Sequence, residues 1–339
     1  MKLIRTEDAV GQVLCHDMTQ IIPGQFKDAR FRKGHIVTPE DIPVLLSMGK
    51  ENLYVWEMQE GFLHENEAAE RMCALCLNDG MERSAVKEGK IELKAAHAGL
   101  FRVDRLRLNA VNAIDELMIA TRRGNTPVQA GDKLCGTRVI PLVIEEEKLI
   151  RAEAITADRP LLELLPYKLK KAAVITTGSE VFHGRIQDAF TPAVVKKLNA
   201  YGIEMTEHLT VDDGMEHIVE AIAAVRKKGV ELILCTGGMS VDPDDNTPGA
   251  IKRSGARIVT YGAPVLPGAM FLLGYFEDGV PIVGLPGCVM YAKATVFDLA
   301  LPRIAAGVEM VKQDFVEMGE GGLCLGCGEC HYPICPFGK

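Results

Sequence analysis

No apolar run in this chain approaches the ~20 residues that a membrane-crossing helix needs, so no spanning segment and no membrane partner are expected. Positive charge is also short. Lys and Arg number 38 against 46 Asp and Glu, a formal net charge of −8. That balance disfavours a general polyanion-binding surface, and nucleic acid is not an expected partner. The first residues, MKLIRTEDAVGQVL, lack the basic region, long apolar stretch and small-residue cleavage site of a secretory leader. A cytoplasmic location is expected. There is no internal repeat and no low-complexity tract. What remains is an ordinary globular composition, 47% hydrophobic and 25% charged, in 339 residues, enough for two or three domains.

Residues 1–156 read as a mixed α+β region. After Gly34-His35-Ile36-Val37, Thr38 is the natural N-cap and Pro39 the first helical residue, with a helix over Asp41 to Met48 that stops at Gly49. Leu53-Tyr54-Val55-Trp56 reads as a strand, and His64 to Leu77 as a helix. Ala110 to Arg122 is predicted helical. Val139 to Ile144 and Leu149 to Ile155 are predicted strands around the acidic run Glu145-Glu146-Glu147. Residues 157–170, with Pro160 and Pro166, read as a linker. From 171 to 308 short apolar runs alternate with amphipathic helical patterns. The last helix of that series is predicted over Val289 to Ile304. This alternation predicts an α/β fold with a doubly wound, mainly parallel sheet. Residues 309–339 form a cysteine-rich tail.

Three glycine-rich loops punctuate that α/β region: TTGSE (176–180), TGGMSVDPDDNTP (236–248) and GLPGCVMYA (284–292). Each ends an apolar run and opens a helical pattern. In a parallel sheet such loops collect beyond the carboxyl ends of the strands, where ligands bind. Glycine there permits a tight turn and close approach of backbone to ligand, and backbone N–H groups can hold phosphate without net positive charge. One such loop is ordinary punctuation; three on one sheet edge predict a phosphorylated small-molecule ligand. Asp242, Asp244 and Asp245 crowd the second loop, and Asp188 precedes a helix. Carboxylates beside a phosphate repel it unless a cation intervenes, and Mg²⁺ suits that role. The bland alternative, turn-forming and capping aspartates, fits Asp242 before Pro243 best.

These residues resemble the molybdopterin-binding domain shared by molybdenum-cofactor biosynthesis proteins. The matching segments are TTGSE, GRIQD (184–188), TGGMSVDPDDNTP, PGAMF (267–271) and GLPGCV, in order across Ala172 to Ile304. GGMS is closer to the molybdenumtransferase branch, the gephyrin E-domain type, than to the adenylyltransferase branch with its GGTG. Phe31 to Val55 is also similar to a segment of that branch. The resemblance implies a pterin-phosphate site at Thr177, Gly178, Ser179, Glu180, Thr236, Gly237, Gly238, Ser240, Pro267, Gly268, Pro286 and Gly287. It implies that Asp188 and Asp245 are catalytic, handling Mg²⁺ and the pyrophosphate or molybdate end. It further implies a homodimer, with molybdopterin or adenylyl-molybdopterin and molybdate as ligands. Two departures stand out. The branch has Lys-Pro-Gly-Lys-Pro where this chain has Leu266-Pro267-Gly268-Ala269-Met270, and GLPGNP where this chain has Cys288-Val289 after Gly287. Insertion of a molybdate dianion calls for positive charge. Lys293 and Arg185 are candidates to supply it, or are ordinary solvated residues. Three functions stay open: molybdate insertion or transfer, a cofactor carrier or chaperone serving an apo-molybdoenzyme, and nucleotide pyrophosphate cleavage. The last is implied by the likeness of 236–247 to the TGGLGPTxDDxT loop of the competence-damage-inducible family.

Ten cysteines complete the inventory. Cys324-x2-Cys327-x2-Cys330-x4-Cys335-Pro336 packs four into the last sixteen residues. That spacing suits an iron–sulfur cluster, with one more residue before the last cysteine than the C-x2-C-x2-C-x3-C-P run of ferredoxins. Zinc also accepts four thiolates, and His331 is a further donor; a tail that binds no metal is the third alternative. Cys73 and Cys76, three apart on a predicted helix, read as small buried apolar residues.

Overall fold

A computed structural model describes residues 2–22, 26–55, 60–240, 242 and 245–338, without the side chain of Phe26. Trp56, Pro243 and Asp244, named above, lie outside the described residues. The chain sorts into two compact units. One comprises 1–96, 103–122 and 130–163; the other comprises 97–102, 123–129 and 164–339. The second unit is therefore not contiguous, as a single division near 157–170 had implied. Within it Thr126–Val128 pairs antiparallel with Gly99–Phe101, and the Tyr167 hydroxyl donates to Gly99 O at 2.9 Å. The supposed linker itself contains a strand, Leu162–Leu165.

The first unit is built on an antiparallel sheet in which Met81–Arg83, Lys90–Ala95, Lys133–Val139 and Leu117–Thr121 lie side by side. The helix Glu65–Ala74 buries Ala68, Ala69, Met72 and Cys73. Its N-cap is His64, whose side chain accepts from Asn66 N–H while Glu67 reaches back to the His64 N–H. Cys73 and Cys76 are buried, as their reading as core residues requires. Four predictions fail here, the strand expected over Val139 to Ile144 among them, since Lys133–Val139 and Val143–Glu145 are separate strands with bends at 140–142. The helix lies over Asp41–Ser47, close to the expected Asp41 to Met48, but Thr38 and Pro39 are not its cap and first residue: the Asp41 carboxylate accepts from the Thr38 N–H and hydroxyl and closes a turn ahead of the helix. The expected helix at Ala110 to Arg122 stops at Asn112, and Leu117–Thr121 is a strand. Asn112 bonds both the N–H and the C=O of Ile119, turning the chain back, and Glu116 adopts φ 73° in the turn between them. Leu149 to Ile155 is not a strand but lies in the helix Glu146–Thr156. Leu149 and Ala152 form its buried stripe, and Glu146 and Glu147 sit at its positive end.

The strands and helices of the second unit that build the α/β fold are numbered from 171 onward. They are β1 (Lys171–Thr177), α1 (Ser179–Phe182), α2 (Phe190–Asn199), β2 (Glu204–Val211), α3 (Met215–Arg226), β3 (Leu232–Thr236), α4 (Thr247–Arg253), β4 (Arg257–Tyr261), β5 (Leu272–Tyr275), β6 (Pro281–Leu285), α5 (Val296–Ala305) and α6 (Lys312–Val316). The sheet order is β2-β1-β3-β6-β5-β4. β2, β1, β3 and β6 are parallel to one another; β5 runs antiparallel to both of its neighbours, β6 and β4. The sequence reading missed β5, a four-residue run without alternation.

Both sheet faces are covered, which explains why the strands read as continuous apolar runs. Alternate residues of β1 enter two separate cores. Ala172 and Val174 join Val194 and Leu198 of α2 and the buried face of α5. Ala173 and Ile175 join Ile218, Ile222 and Val225 of α3 and Ala250 and Ile251 of α4. Helix α5 begins at Val296, not near Val289. Gly287–Met290 is a 3₁₀ turn, and Thr295 with Asp298 makes a capping box that fixes the later start. Among the described residues no helix is long and apolar enough to cross a membrane.

Candidate functional site

Parallel pairing of β1 with β3 and of β3 with β6 puts Thr176, Thr236 and Leu285 in register at the carboxyl edge. The three glycine loops therefore leave the sheet side by side. Two hydroxyls lock the first two loops. Thr177 Oγ1 donates to Thr236 O at 3.1 Å and lies 3.1 Å from Thr247 Oγ1. Thr247 N–H donates to Gly238 O at 3.2 Å. Glycine is required at this junction. Gly237 has φ 86°, and a Cβ there would lie 2.2 Å from Thr177 O.

This geometry reassigns several predicted ligand residues. Thr177 and Thr236 are buried, at 4% and 0% exposure; the Thr177 hydroxyl ties the loops together, and Thr236 takes part through its backbone carbonyl. Gly268 is tightly packed, since a Cβ on it would lie 2.6 Å from Val296 Cγ1. Pro286 is buried. The exposed or half-buried members are Gly178, Ser179, Glu180, Gly237, Gly238, Ser240, Pro267 and Gly287. Gly287 is open, with nothing within 4 Å of where a Cβ would stand. The glycine that begins the last motif has another duty: a Cβ on Gly284 would lie 2.5 Å from the Met239 sulfur. Met239 and Gly284 thus fit together across β3 and β6.

Asp188 sits where β1 meets α2. Its Oδ1 accepts from Phe190 N–H at 2.8 Å and Thr191 N–H at 3.0 Å, capping the helix. Its Oδ2 accepts from the hydroxyls of Thr176, at 2.9 Å, and Thr191. His208 Nε2 is 3.5 Å from the same oxygen and 3.1 Å from Thr176 Oγ1. Burial raises the carboxyl's pKa, but the bonds from Thr191, Thr176 and Phe190 outweigh it and hold the group below its ordinary value. Asp188 is therefore an anion with little unused acceptor capacity. The capping aspartate of the bland reading and the charged site residue are one group.

Asp245 lies apart from this network. Its N–H donates to Asp242 O at 3.0 Å. Burial first, and the Asp245 charge second, push the Tyr261 phenol up. That phenol donates to Met239 O at 3.0 Å and so steadies the second loop. Asp242 is exposed, in keeping with a turn former. Asp213, not singled out from sequence, organises the first loop: its carboxylate accepts from Ser179 N–H at 2.8 Å, and its C=O accepts from Asn246 Nδ2 at 2.9 Å. An N–H that the glycine loop had been expected to offer to phosphate is thus already engaged. Val211-Asp212-Asp213-Gly214, a polar turn at a strand's carboxyl end, was the available signal. His208 left no signal, since it lies mid-strand among alternating polar residues.

The four tail cysteines come together around one cavity without forming an ion-holding group. Among the described residues no three His, Cys, Asp or Glu side chains are placed to hold a metal ion. Lys293 lines that same cavity, and Arg185 is exposed after the first loop.

Residues 173–306 match a family described as a probable molybdopterin binding domain. Residues 3–57 match a domain of unknown function, DUF8806. Among curated relatives, a CinA-like protein of Mycobacterium avium is 33% identical over 96 residues, 28% of this chain and 22% of that protein. A CinA-like protein of Fusobacterium nucleatum is 35% identical over 83 residues, 24% of this chain and 20% of that protein. The chain thus spans about a fifth of the length of these relatives. Among solved structures, the molybdopterin biosynthesis enzyme MoaB from Thermus thermophilus aligns at TM-score 0.35 and 20% identity, covering 42% of this chain and 99% of that one. The protein CinA from Thermoplasma acidophilum aligns at TM-score 0.35 and 18% identity, covering 40% and 98%.

Proposed function

We propose that the second unit binds molybdopterin or its adenylylated form at the carboxyl edge of β1, β3 and β6, in molybdenum-cofactor biosynthesis. One observation carries this reading. The region matching the molybdopterin-binding family brings its three glycine loops out side by side, with Asp188 held ionised at their margin. Ser179, Glu180, Ser240, Pro267 and Gly287 supply the accessible surface. Ligand phosphate would meet backbone N–H groups there, and Asp188 orients Thr176 and Thr191 through its hydroxyl bonds.

The donor set constrains where Mg²⁺ fits. Both oxygens of Asp188 are occupied by protein donors, so that carboxylate does not fit a direct metal ligand. Asp245 does, together with ligand oxygens and water, since Mg²⁺ takes few carboxylates from protein. Mg²⁺ there would offset ligand negative charge. The GGMS sequence supports the molybdenumtransferase branch and molybdate insertion. The missing lysines favour a version in which the protein carries cofactor to an apo-molybdoenzyme. A homodimer is part of the same reading.

Isothermal calorimetry of the full chain with molybdopterin, adenylyl-molybdopterin, and nicotinamide and flavin dinucleotides tests the proposal. The pterins should bind at least about tenfold more tightly, a gap of roughly 1.4 kcal/mol; tighter dinucleotide binding sinks it. The similarity to CinA-like proteins over 83–96 residues supports a second reading, pyrophosphate cleavage of a nucleotide. Mg²⁺-dependent release of a nucleoside monophosphate from ADP-ribose would favour that second reading.

A further inference from the structure

The cysteine-rich tail is docked on the second unit at both ends. Cys324 N–H donates to Leu266 O at 2.8 Å, and Gly338 N–H donates to Gly321 O at 2.8 Å, closing the segment between them. The Tyr332 hydroxyl donates to Asp298 O at 2.6 Å. Phe337 is buried, and Cys324, Tyr332 and Cys335 pack against the core that includes α5. Two thiols are thus held by the body of the protein. Cys327 and Cys330 are exposed on the arm between them. Gly326 and Gly328 flank Cys327, each with open space where a side chain would be. All four cysteines and His331 line one cavity of about 270 Å³, with Pro267 and Lys293 on its wall.

We propose that Cys324, Cys327, Cys330 and Cys335 form a tetrathiolate metal site, independent of the pterin reading, that takes zinc or an iron–sulfur cluster. In this structure no three of these groups are placed to hold an ion. Assembly therefore requires the arm 325–331 to fold inward while Cys324 and Cys335 stay in place. The glycines on either side of Cys327 permit that movement at little steric cost. Soft thiolates select zinc or iron over Mg²⁺. Four thiolates around a divalent ion leave a negative complex, and Lys293 on the cavity wall offsets part of that charge. His331 lines the cavity but is not one of the four ligands.

The full chain, purified without oxygen and stripped of metal by chelator, is titrated with Co²⁺ and separately incubated with ferric iron, sulfide and a dithiol that reduces part of the iron. One equivalent of Co²⁺ should give the intense thiolate-to-cobalt charge-transfer band of a four-sulfur site, displaced by Zn²⁺; or iron and sulfide should give a broad visible absorbance. The first result identifies a mononuclear site and the second a cluster, and either supports the proposal. Absence of both overturns it. Cys327→Ser and Cys330→Ser should each weaken Co²⁺ binding at least about tenfold, in line with the loss of a soft ligand, whereas His331→Ala should not change it. Loss of binding in His331→Ala with retention in Cys335→Ser overturns the ligand set. A measurement on the unmutated chain guards against folding artefacts. Alkylation followed by peptide mass spectrometry should show Cys327 and Cys330 labelled in the metal-free chain and protected in the loaded one. Equal labelling in both states overturns the proposal.

Discussion

Two glycines of the proposed site should respond unequally to the same substitution. At Gly237 the backbone has φ 86°, and an added Cβ would sit 2.2 Å from Thr177 O and 2.9 Å from Thr177 Oγ1. Left-handed backbone costs an L-residue roughly 1–2 kcal/mol. The clash adds to that. Thr177 O belongs to the end of β1, so it cannot swing away as a side-chain tip would. Either the loop withdraws from β1 and breaks the bond from Thr177 to Thr236 O, or the strand end moves. A destabilisation of about 2–4 kcal/mol is expected for Gly237→Ala. At Gly287 φ is not positive and nothing lies within 4 Å of the added carbon. Gly287→Ala should stay within about 0.5 kcal/mol of the parent. Thermal and urea unfolding followed by circular dichroism give the two differences. Hydrogen exchange of peptides covering 232–253 localises the first. Ligand binding separates them further, since a methyl that meets empty space in the free protein can lower pterin affinity only where ligand approaches Gly287. A Gly237→Ala protein as stable as the parent would refute the close-approach argument.

Asp188→Asn keeps one capping oxygen but takes the charged acceptor away from the Thr176 and Thr191 hydroxyls, and should cost about 1 kcal/mol at pH 7. Because the folded carboxyl lies below its ordinary value, its contribution is present above the unfolded pKa of about 3.9 and disappears as pH falls through the folded value; urea midpoints should show the gap between parent and variant closing as the pH drops below about 3.9, and a constant gap would contradict the assignment. Asp245→Asn should change stability by less than about 1 kcal/mol, as at other partly exposed positions, while removing any Mg²⁺ dependence of pterin binding in calorimetry. Thr236→Val removes a buried hydroxyl for which no partner is found among the described residues; denaturation should show it neutral or stabilising by up to about 1–2 kcal/mol, and a clear loss would mean that the hydroxyl is bonded in solution.

The second unit was legible because its signals agree. Apolar runs of four to seven residues, helices ending at Gly202, Gly229 and Gly255, and polar loops all point to one sheet, and most boundaries agree within a residue or two. The first unit was less so. Leu149 and Ala152 follow helical spacing, but Leu149-Ile150 and Ile155 also read as β-rich, and only packing decides between them. The start of α5 was hidden for a different reason. Val289 continues the apolar pattern, and the Thr295–Asp298 capping box that sets the true start is a local hydrogen-bond motif within that pattern. At the site, sequence found the loops, Thr247 included, but not the partners from outside them, because Asp213 and His208 are brought in from elsewhere in the chain only by the fold.

Several residues in the recognisable motifs have packing duties. Gly237 lies against Thr177, Gly268 against Val296 and Gly284 against Met239, while Thr177 ties β1 to the loop after β3. A motif built from such contacts marks a scaffold, and any protein using that scaffold will carry it whatever reaction it performs. Differences in chemistry fall on the positions that face outward: Glu180, Ser240, Asp245, Pro267 and Gly287. The two missing lysines belong to this class, since Leu266 is 55% exposed and Ala269 is half-buried. Replacing them removes charge without disturbing the packing of Gly268 on Val296. The sheet and its loops can therefore remain intact while capacity for a dianion is reduced. Restoring charge with Leu266→Lys and Ala269→Lys should accordingly leave the fold unchanged and raise affinity for molybdate, if this edge is where molybdate is handled. Unchanged molybdate affinity in a folded double variant would instead support the carrier reading.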